Sequence, residues 1–77
     1  MTTFYFDLHS GDDITIDDAG VELAGIEVAR RLALDILGQT ILDGAARHAG
    51  WVSKVEVRDR SSVVLRVSGA VIVDDLS

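Results

Sequence analysis

The chain contains no cysteine and no proline, and only four of its 77 residues are aromatic. The absence of cysteine excludes disulfide bonds and thiolate metal sites. No apolar run approaches the roughly 20 residues of a transmembrane helix, and the first residues lack the basic region and apolar stretch of a secretory signal. Because the chain is short and has neither a linker nor an internal repeat, we expect a single domain over residues 1–77, cytoplasmic and without membrane contact.

Positive charge is missing from the first third of the chain. The formal net charge is −6, and no lysine or arginine lies between Met1 and Ala29. The acidic residues of this stretch are Asp7, Asp12, Asp13, Asp17, Asp18, Glu22 and Glu27. Since nucleic-acid binding depends on cationic groups that displace counterions from phosphates, the sequence predicts no nucleic-acid partner.

The aromatic residues that are present concentrate in the first strand of a predicted hairpin. Large apolar residues occupy every second position of residues 3–8 and of residues 14–17. This alternation is typical of half-buried strands, and the Gly- and Asp-rich stretch between them is typical of a turn. If both apolar rows face one core, Leu8 lies opposite Ile14 and residues 9–13 form the loop.

The spacing of apolar residues becomes helical between Ala24 and Arg47. Apolar positions then recur at three- and four-residue steps and form one broad face, a pattern typical of a helix that covers a core. This face contains Ile26, Ala29, Leu32, Ala33, Ile36, Leu37, Thr40 and Ile41. Glu27 and Arg31 stand four positions apart with the acid first, the better orientation for an ion pair on a helix surface.

Alternation with period two returns in the last part of the chain and predicts a second hairpin. Its strands cover residues 52–59 and 63–67, with residues 60–62 as the loop, or one residue more on each side. Gly69 interrupts the last strand, most simply as a bulge, and Ala70–Val73 is expected to continue it.

The apolar rows of this second hairpin also predict how its strands pair. Keeping both rows on the core face requires Val57 to lie opposite Leu65, because a shift by one residue would turn every apolar side chain outward. In that register Glu56 faces Arg66, a favourable cross-strand pair.

Together these elements predict an α+β fold of two layers. Their order is strand, strand, helix, strand, strand, and one helix on one face of a four-stranded, mainly antiparallel sheet buries every apolar row. The first and fourth strands are the richest in apolar residues, whereas the third carries alternating charges that suit an edge. We therefore favour the sheet order 2-1-4-3, as in a β-grasp-like arrangement.

The residues of both hairpins resemble a family of short uncharacterised bacterial proteins. The shared features are an aromatic first strand, an Asp-Gly turn and a Gly-x-Glu-Leu helix entry, here Phe4–His9, Gly11-Asp12 and Gly20–Leu23, and a second hairpin similar to Val55–Asp59 and Val64–Val67. The family is classed as a domain of unknown function, so the resemblance implies the strand-strand-helix-strand-strand fold rather than an activity. More loosely, the plan is similar to antitoxins of the HicB type, whose DNA-binding segment has no counterpart in this sequence.

Motifs for catalysis or cofactor binding are weak throughout. Asp7 and His9 share one face of the first strand and, with Asp12 in the turn, could hold a metal ion or form an acid/base pair. Histidine beside carboxylates at a hairpin tip is nevertheless common without function. The glycines form no phosphate-binding loop, and no histidine is placed by sequence to activate a serine. We therefore predict no enzyme activity and no cofactor, with the metal site left open as an alternative.

Apolar residues make up 48% of the chain, more than one small core requires. A two-layer domain leaves one sheet face uncovered, and apolar residues on that face would favour a partner. The candidate interaction surface consists of Tyr5, Trp51, Val64, Ala70, Val71, Ile72 and Val73. The alternative is that these residues are scattered singly over the surface, as apolar residues commonly are.

The sequence thus predicts a non-enzymatic protein-interaction module that is acidic and forms a homodimer or binds a protein partner. We expect the segment Ala70–Val73 to mediate the contact, either by pairing at the sheet edge or by packing of the sheet face. An antitoxin-like or regulatory subunit of a bacterial complex is the alternative function.

Overall fold

The computed structural model describes residues 1–44, 47 and 49–77. One helix packs on one face of a five-stranded sheet, so the predicted two-layer α+β class is confirmed. The elements are β1 (Thr2–Ser10), β2 (Asp13–Thr15), β3 (Val21–Leu23), α1 (Ile26–Gly44), β4 (Ser53–Arg58) and β5 (Val63–Gly69). Neighbouring strands are antiparallel throughout the described sheet.

The sheet has the order β2-β1-β4-β5, and β3 also pairs with β1. The predicted order placed the last strand, which is β5 in the structure, beside the first. The structure instead places β4, the third of the predicted strands, beside β1. The physical reason is burial: Val55 and Val57 of β4 are completely buried, while Val63 and Val64 at the start of β5 are exposed. The alternating charges of β4, interpreted from sequence as marking an edge, lie on the face opposite the helix and pair with charges on both neighbouring strands.

The extra strand β3 was not predicted. It pairs with the beginning of β1, from Thr2 opposite Leu23 to Phe4 opposite Val21. Since β2 pairs with the end of β1, β2 and β3 lie one after the other along the same side of β1. This edge of the sheet is therefore two three-residue strands with an irregular stretch between them.

The first hairpin has a tighter turn than predicted. Ser10 pairs with Asp13, which leaves only Gly11 and Asp12 as the loop, and His9 rather than Leu8 faces Ile14. Gly11 has a φ of 59°, as a type II′ turn requires at its first central residue. The one-residue change in register turns Ile14 away from the core and leaves it 60% exposed.

Helix α1 covers the sheet with small residues, which allow close approach. Ala29 and Ala33 are completely buried against the central strands, and Leu37 is nearly so. The predicted helix face is thereby confirmed apart from Ile26, which is exposed. The other core members are Phe4, Val55 and Val57, with Phe6, Leu8, Leu23, Ile36, Ile41, Leu65 and Val67 packed around them. Among the described residues no helix is both long and apolar enough to cross a bilayer.

The ends of α1 differ from the prediction. The helix begins two residues later, where the carbonyl of Gly25 accepts the first helical bond from the N–H of Ala29 at 3.2 Å. It is described to Gly44, and the predicted continuation through Ala45 and Ala46 lies outside the described residues. On its surface Glu27 pairs with Arg30, at 3.8 Å, rather than with the predicted Arg31.

The second hairpin forms as predicted, with Val57 opposite Leu65 and Glu56 opposite Arg66. The strand does not continue through Ala70–Val73, however, because β4 begins at Ser53, which already pairs with Gly69. The chain nevertheless stays beside the residues that precede β4, since the N–H of Gly50 donates to the carbonyl of Val71 at 2.7 Å.

Candidate interaction surface

The sheet face opposite the helix, here called the outer face, is polar and charged. On the three longest strands it consists of Tyr5, Asp7 and His9 of β1, Lys54, Glu56 and Arg58 of β4, and Val64, Arg66 and Ser68 of β5; Ile14 of β2 lies beside His9. An apolar outer face was expected from the sequence, and that expectation is wrong. Of the apolar residues assigned to it, Tyr5 and Val64 do lie on this face, among charged neighbours, whereas Ala70–Val73 lie beyond the end of β5.

Arg58 and Asp7 form an ion pair on this face, in which the carboxylate is almost completely buried. The Arg58 Nε and Nη2 atoms lie 2.7 and 3.2 Å from the two carboxylate oxygens of Asp7, which is only 6% exposed. The guanidinium also donates to the carbonyl of Asp17 at 2.7 Å and lies 4.7 Å from the centre of the Tyr5 ring. The hydrogen bonds from Arg58 lower the pKa of the Asp7 carboxyl below its ordinary value, against the opposing effect of burial.

Asp17 joins the two halves of the broken edge. Its carboxylate accepts hydrogen bonds from the backbone N–H groups of Gly20, Phe6 and Ala19 at 3.1, 3.1 and 3.0 Å. Its own N–H donates to Asp7 at 2.9 Å. In the gap between β2 and β3, therefore, the side chain of Asp17 rather than a strand accepts the hydrogen bond from the N–H of Phe6 in β1. The bonds from Gly20 and then Phe6 lower the pKa of Asp17.

A second polar network crosses three strands. Glu56 lies between His9, whose Nε2 is 3.1 Å from Oε1, and Arg66, whose Nε is 2.8 Å from Oε2. The hydrogen bond from Arg66 lowers the pKa of the Glu56 carboxyl. This network confirms the predicted pair of Glu56 with Arg66, and it binds the guanidinium of Arg66 on β5 to a carboxylate of β4.

The three residues of the predicted metal site do not point toward a common position. Asp7 is bound to Arg58, His9 faces Glu56, and Asp12 is exposed in the turn. Across the described part of the chain, no group of three or more His, Asp and Glu side chains is arranged to hold a metal ion.

The free edge of β5 is the feature that best fits an interaction surface. In the described structure β5 pairs with β4 alone, so one side of a seven-residue strand has no neighbouring strand. Val63 and Val64 at its start are 51% and 40% exposed. Unpaired N–H and C=O groups in a row form a template for another strand.

The predicted surface residues are divided between this edge and other places. Val64 lies near the start of β5 and Ala70–Val73 follows directly after its end, so these residues lie at opposite ends of the same edge. Tyr5 does not join them, because it lies on β1 beneath Arg58, with β4 between it and β5. Trp51 is 45% exposed and packs on the first hairpin, where a Cβ on Gly11 would collide with its ring.

The sequence reasoning missed two groups of residues. The contact between Arg58 and Asp7 was missed because it requires β4 beside β1, which the predicted order excluded. The edge residues Val63 and Ser68 were missed because Val63 was assigned to the core face and edge pairing was expected only at Ala70–Val73. The signal for the edge was present in the sequence, since no lysine or proline interrupts residues 63–69.

Comparison with curated proteins and with solved structures found no match. A family described as Domain of unknown function (DUF6894) matches residues 3–70. This range includes the helix and all five strands apart from Thr2 at the start of β1. This description names no activity, ligand or partner. The chain belongs to this family, DUF6894.

Proposed function

We propose that this chain is a small non-enzymatic protein-interaction module that self-associates by adding a strand at the free edge of β5. The observation that carries the proposal is the difference between the two edges of the sheet. One edge is broken and closed by side chains, and the other is continuous and open.

The edge formed by β2 and β3 is unsuited to strand addition. Each strand has three residues, and the carboxylate of Asp17 occupies the gap between them by binding the N–H of Phe6. Short, interrupted strands are among the features by which proteins prevent pairing at an edge. A further strand at this side would have no continuous row of backbone groups to bind.

The edge of β5 has fewer such obstacles. The irregular pairing near Val57 and Arg58 leaves Val64 as an extra residue, so a bulge lies at the start of the strand. The remaining residues, Leu65–Gly69, pair regularly with β4 and contain neither proline nor lysine. An added strand would gain backbone hydrogen bonds along this stretch and side-chain contacts at alternate positions.

Light scattering after size-exclusion chromatography, over a wide range of protein concentrations, tests the proposal. We expect the mass to rise from monomer to dimer as the concentration rises. Amide hydrogen exchange at the same concentrations adds the location, because outward amides of β5 should become protected while those of β2 do not change. A monomer at every concentration, or protection confined to β2 and β3, would refute self-association at β5.

A regulatory or antitoxin-like subunit is the second candidate function. It is supported by the same observation, since an open edge in a single copy can equally accept a strand of a different protein. A tagged chain purified from its native cell should then carry a second polypeptide in equal amount, bound in competition with self-association. Recovery of the chain with itself alone would exclude this candidate.

A further inference from the structure

We infer that two copies pair through an antiparallel arrangement of residues 63–73 that is centred on Ser68. This inference rests on the proposed self-association and adds the register of the contact. Ser68 lies on the outer face of β5 and is exposed, opposite Lys54 of its own sheet. A two-fold axis at Ser68 would join the two sheets edge to edge and leave both helices on the same face.

The order of side chains around Ser68 is self-complementary. With Ser68 opposite the partner's Ser68, the pairs on either side are Val67 with the partner's Gly69, Arg66 with the partner's Ala70, Leu65 with the partner's Val71, Val64 with the partner's Ile72 and Val63 with the partner's Val73. Large residues thus meet small or apolar ones, and Leu65 and Val67, which pack against the core, lie opposite the partner's Val71 and Gly69. The core would continue from one copy into the next.

Charge disfavours the centres closer to Arg66. A centre at Arg66 would set two guanidinium groups directly opposite, which is destabilising. A centre at Leu65 or Val67 would place them on a diagonal, roughly 7–8 Å apart. A centre at Ser68 separates them by four strand positions, roughly 13 Å along the strand, and leaves each Arg66 bound to Glu56 of its own copy.

The same centre accounts for apolar side chains that the single copy leaves in water. Ile72 and Val73 are 80% and 68% exposed, and Val63 and Val64 are also exposed. Each of these side chains lies opposite another of the four in the paired arrangement, so pairing reduces the area that all of them expose to water. The hydrogen bond from Gly50 to Val71 already holds the segment next to the residues before β4. Residues 70–73 therefore already continue in the direction of β5 before a second copy binds.

Disulfide trapping tests the register, because the chain has no cysteine of its own. Ser68→Cys should form a covalent dimer under mild oxidation, since directly opposite Cβ atoms lie about 4.5–5.5 Å apart and a small shift brings them to the roughly 3.5–4.5 Å that a disulfide spans. Arg66→Cys reports the competing centre and Ser62→Cys, in the loop before β5, reports random collision. Neither should form a covalent dimer at a comparable rate. A dimer by light scattering that Ser68→Cys does not trap would overturn the register alone.

A charge substitution provides an independent test. Ser68→Glu places a carboxylate opposite Lys54 within one copy, a favourable pair, but sets two carboxylates opposite each other in the dimer. We expect an unchanged circular dichroism spectrum and a dissociation constant raised roughly fivefold or more. Thr15→Glu makes the same charge change at the other edge and should leave the dissociation constant unchanged. Equal effects of both variants would overturn the register, and a wild-type monomer at all concentrations would refute the proposed function as well.

Discussion

The guanidinium of Arg58 binds the carboxylate of Asp7 through two hydrogen bonds, with nitrogen–oxygen distances of 2.7 and 3.2 Å. The same group reaches the carbonyl of Asp17 and so connects β4, β1 and the stretch between β2 and β3. Asp17 in turn binds the backbone of β1. One ion pair therefore closes the broken edge of the sheet, and the opposite edge has no equivalent in the described structure.

Replacement of Asp7 by asparagine should destabilise the fold. The substitution keeps the size of the side chain but leaves the guanidinium of Arg58 without its carboxylate, within a mostly buried network. We expect the free energy of unfolding to fall by about 1–3 kcal/mol, as for loss of a buried charged hydrogen-bond partner. Urea denaturation monitored by circular dichroism measures the change.

Asp35→Asn is the matched control for this substitution. Asp35 is exposed on α1, and its replacement removes the same charge without breaking a buried contact. The free energy of unfolding of this variant should therefore change by less than about 0.5 kcal/mol. If both variants lose the same amount of stability, general charge rather than the contact with Arg58 is responsible.

Acid should weaken the fold in a defined range. The folded state lowers the pKa of Asp7 and of Asp17 below the ordinary value of 3.8, so the unfolded chain binds protons at a pH where the folded chain does not. Their contribution to stability is therefore complete above the ordinary pKa and is lost as the pH falls through the lowered, folded values. Urea denaturation at a series of pH values should show this decline.

The variant Asp7→Asn tests whether the loss of stability in acid comes from Asp7 and Asp17. With one of the two carboxyl groups removed, stability should fall less steeply over the same acidic range. An unchanged slope in the variant would assign the acid sensitivity to other carboxyl groups, such as Glu56 or Asp59, whose pKa values are also lowered.

Two glycine substitutions should have opposite effects. Gly20 has a φ of 76°, and an added Cβ would lie 2.8 Å from Tyr5 Cε2 and 2.9 Å from Thr3 Cγ2. Gly20→Ala should therefore destabilise the fold by more than about 1 kcal/mol. Gly38 lies within α1, and no described atom would come within 4 Å of its Cβ, so Gly38→Ala should stabilise by about 0.5–1 kcal/mol. Thermal unfolding midpoints that shift in the same direction for both variants would contradict this account.

Local spacing was sufficient to predict the helix face and the second hairpin. The positions of Ala29, Ala33 and Leu37 follow from helical periodicity, and the pairing of Glu56 with Arg66 follows from keeping valines on one face. Both depend on contacts between residues that are near in sequence or joined by a short loop. A one-sided apolar pattern then leaves little freedom.

The arrangement of distant strands was not predictable in the same way. Which strand lies beside β1 depends on total burial and on long-range pairs such as Arg58 with Asp7, 51 positions apart. The register of the first hairpin depended on the conformation of Gly11, which permits a two-residue turn that the apolar pattern alone did not favour. The broken edge could not be predicted either, because it depends on the carboxylate of Asp17 accepting hydrogen bonds from the N–H groups of Phe6 and Gly20, which no local pattern indicates.

A pair of valine substitutions separates the core from the proposed contact. Val57 is completely buried at the centre of the sheet, and truncation to alanine removes about two buried carbon groups and leaves a cavity. Val57→Ala should therefore lower the free energy of unfolding by about 2–3 kcal/mol. Val64 is 40% exposed, and Val64→Ala should lower it by less than about 1 kcal/mol. Since Val64 lies opposite the partner's Ile72 in the proposed dimer, its truncation should instead weaken self-association, measured by light scattering of the still-folded variant. Equal losses of folding stability with unchanged association would show that Val64 serves the fold of a single copy and not the contact between copies.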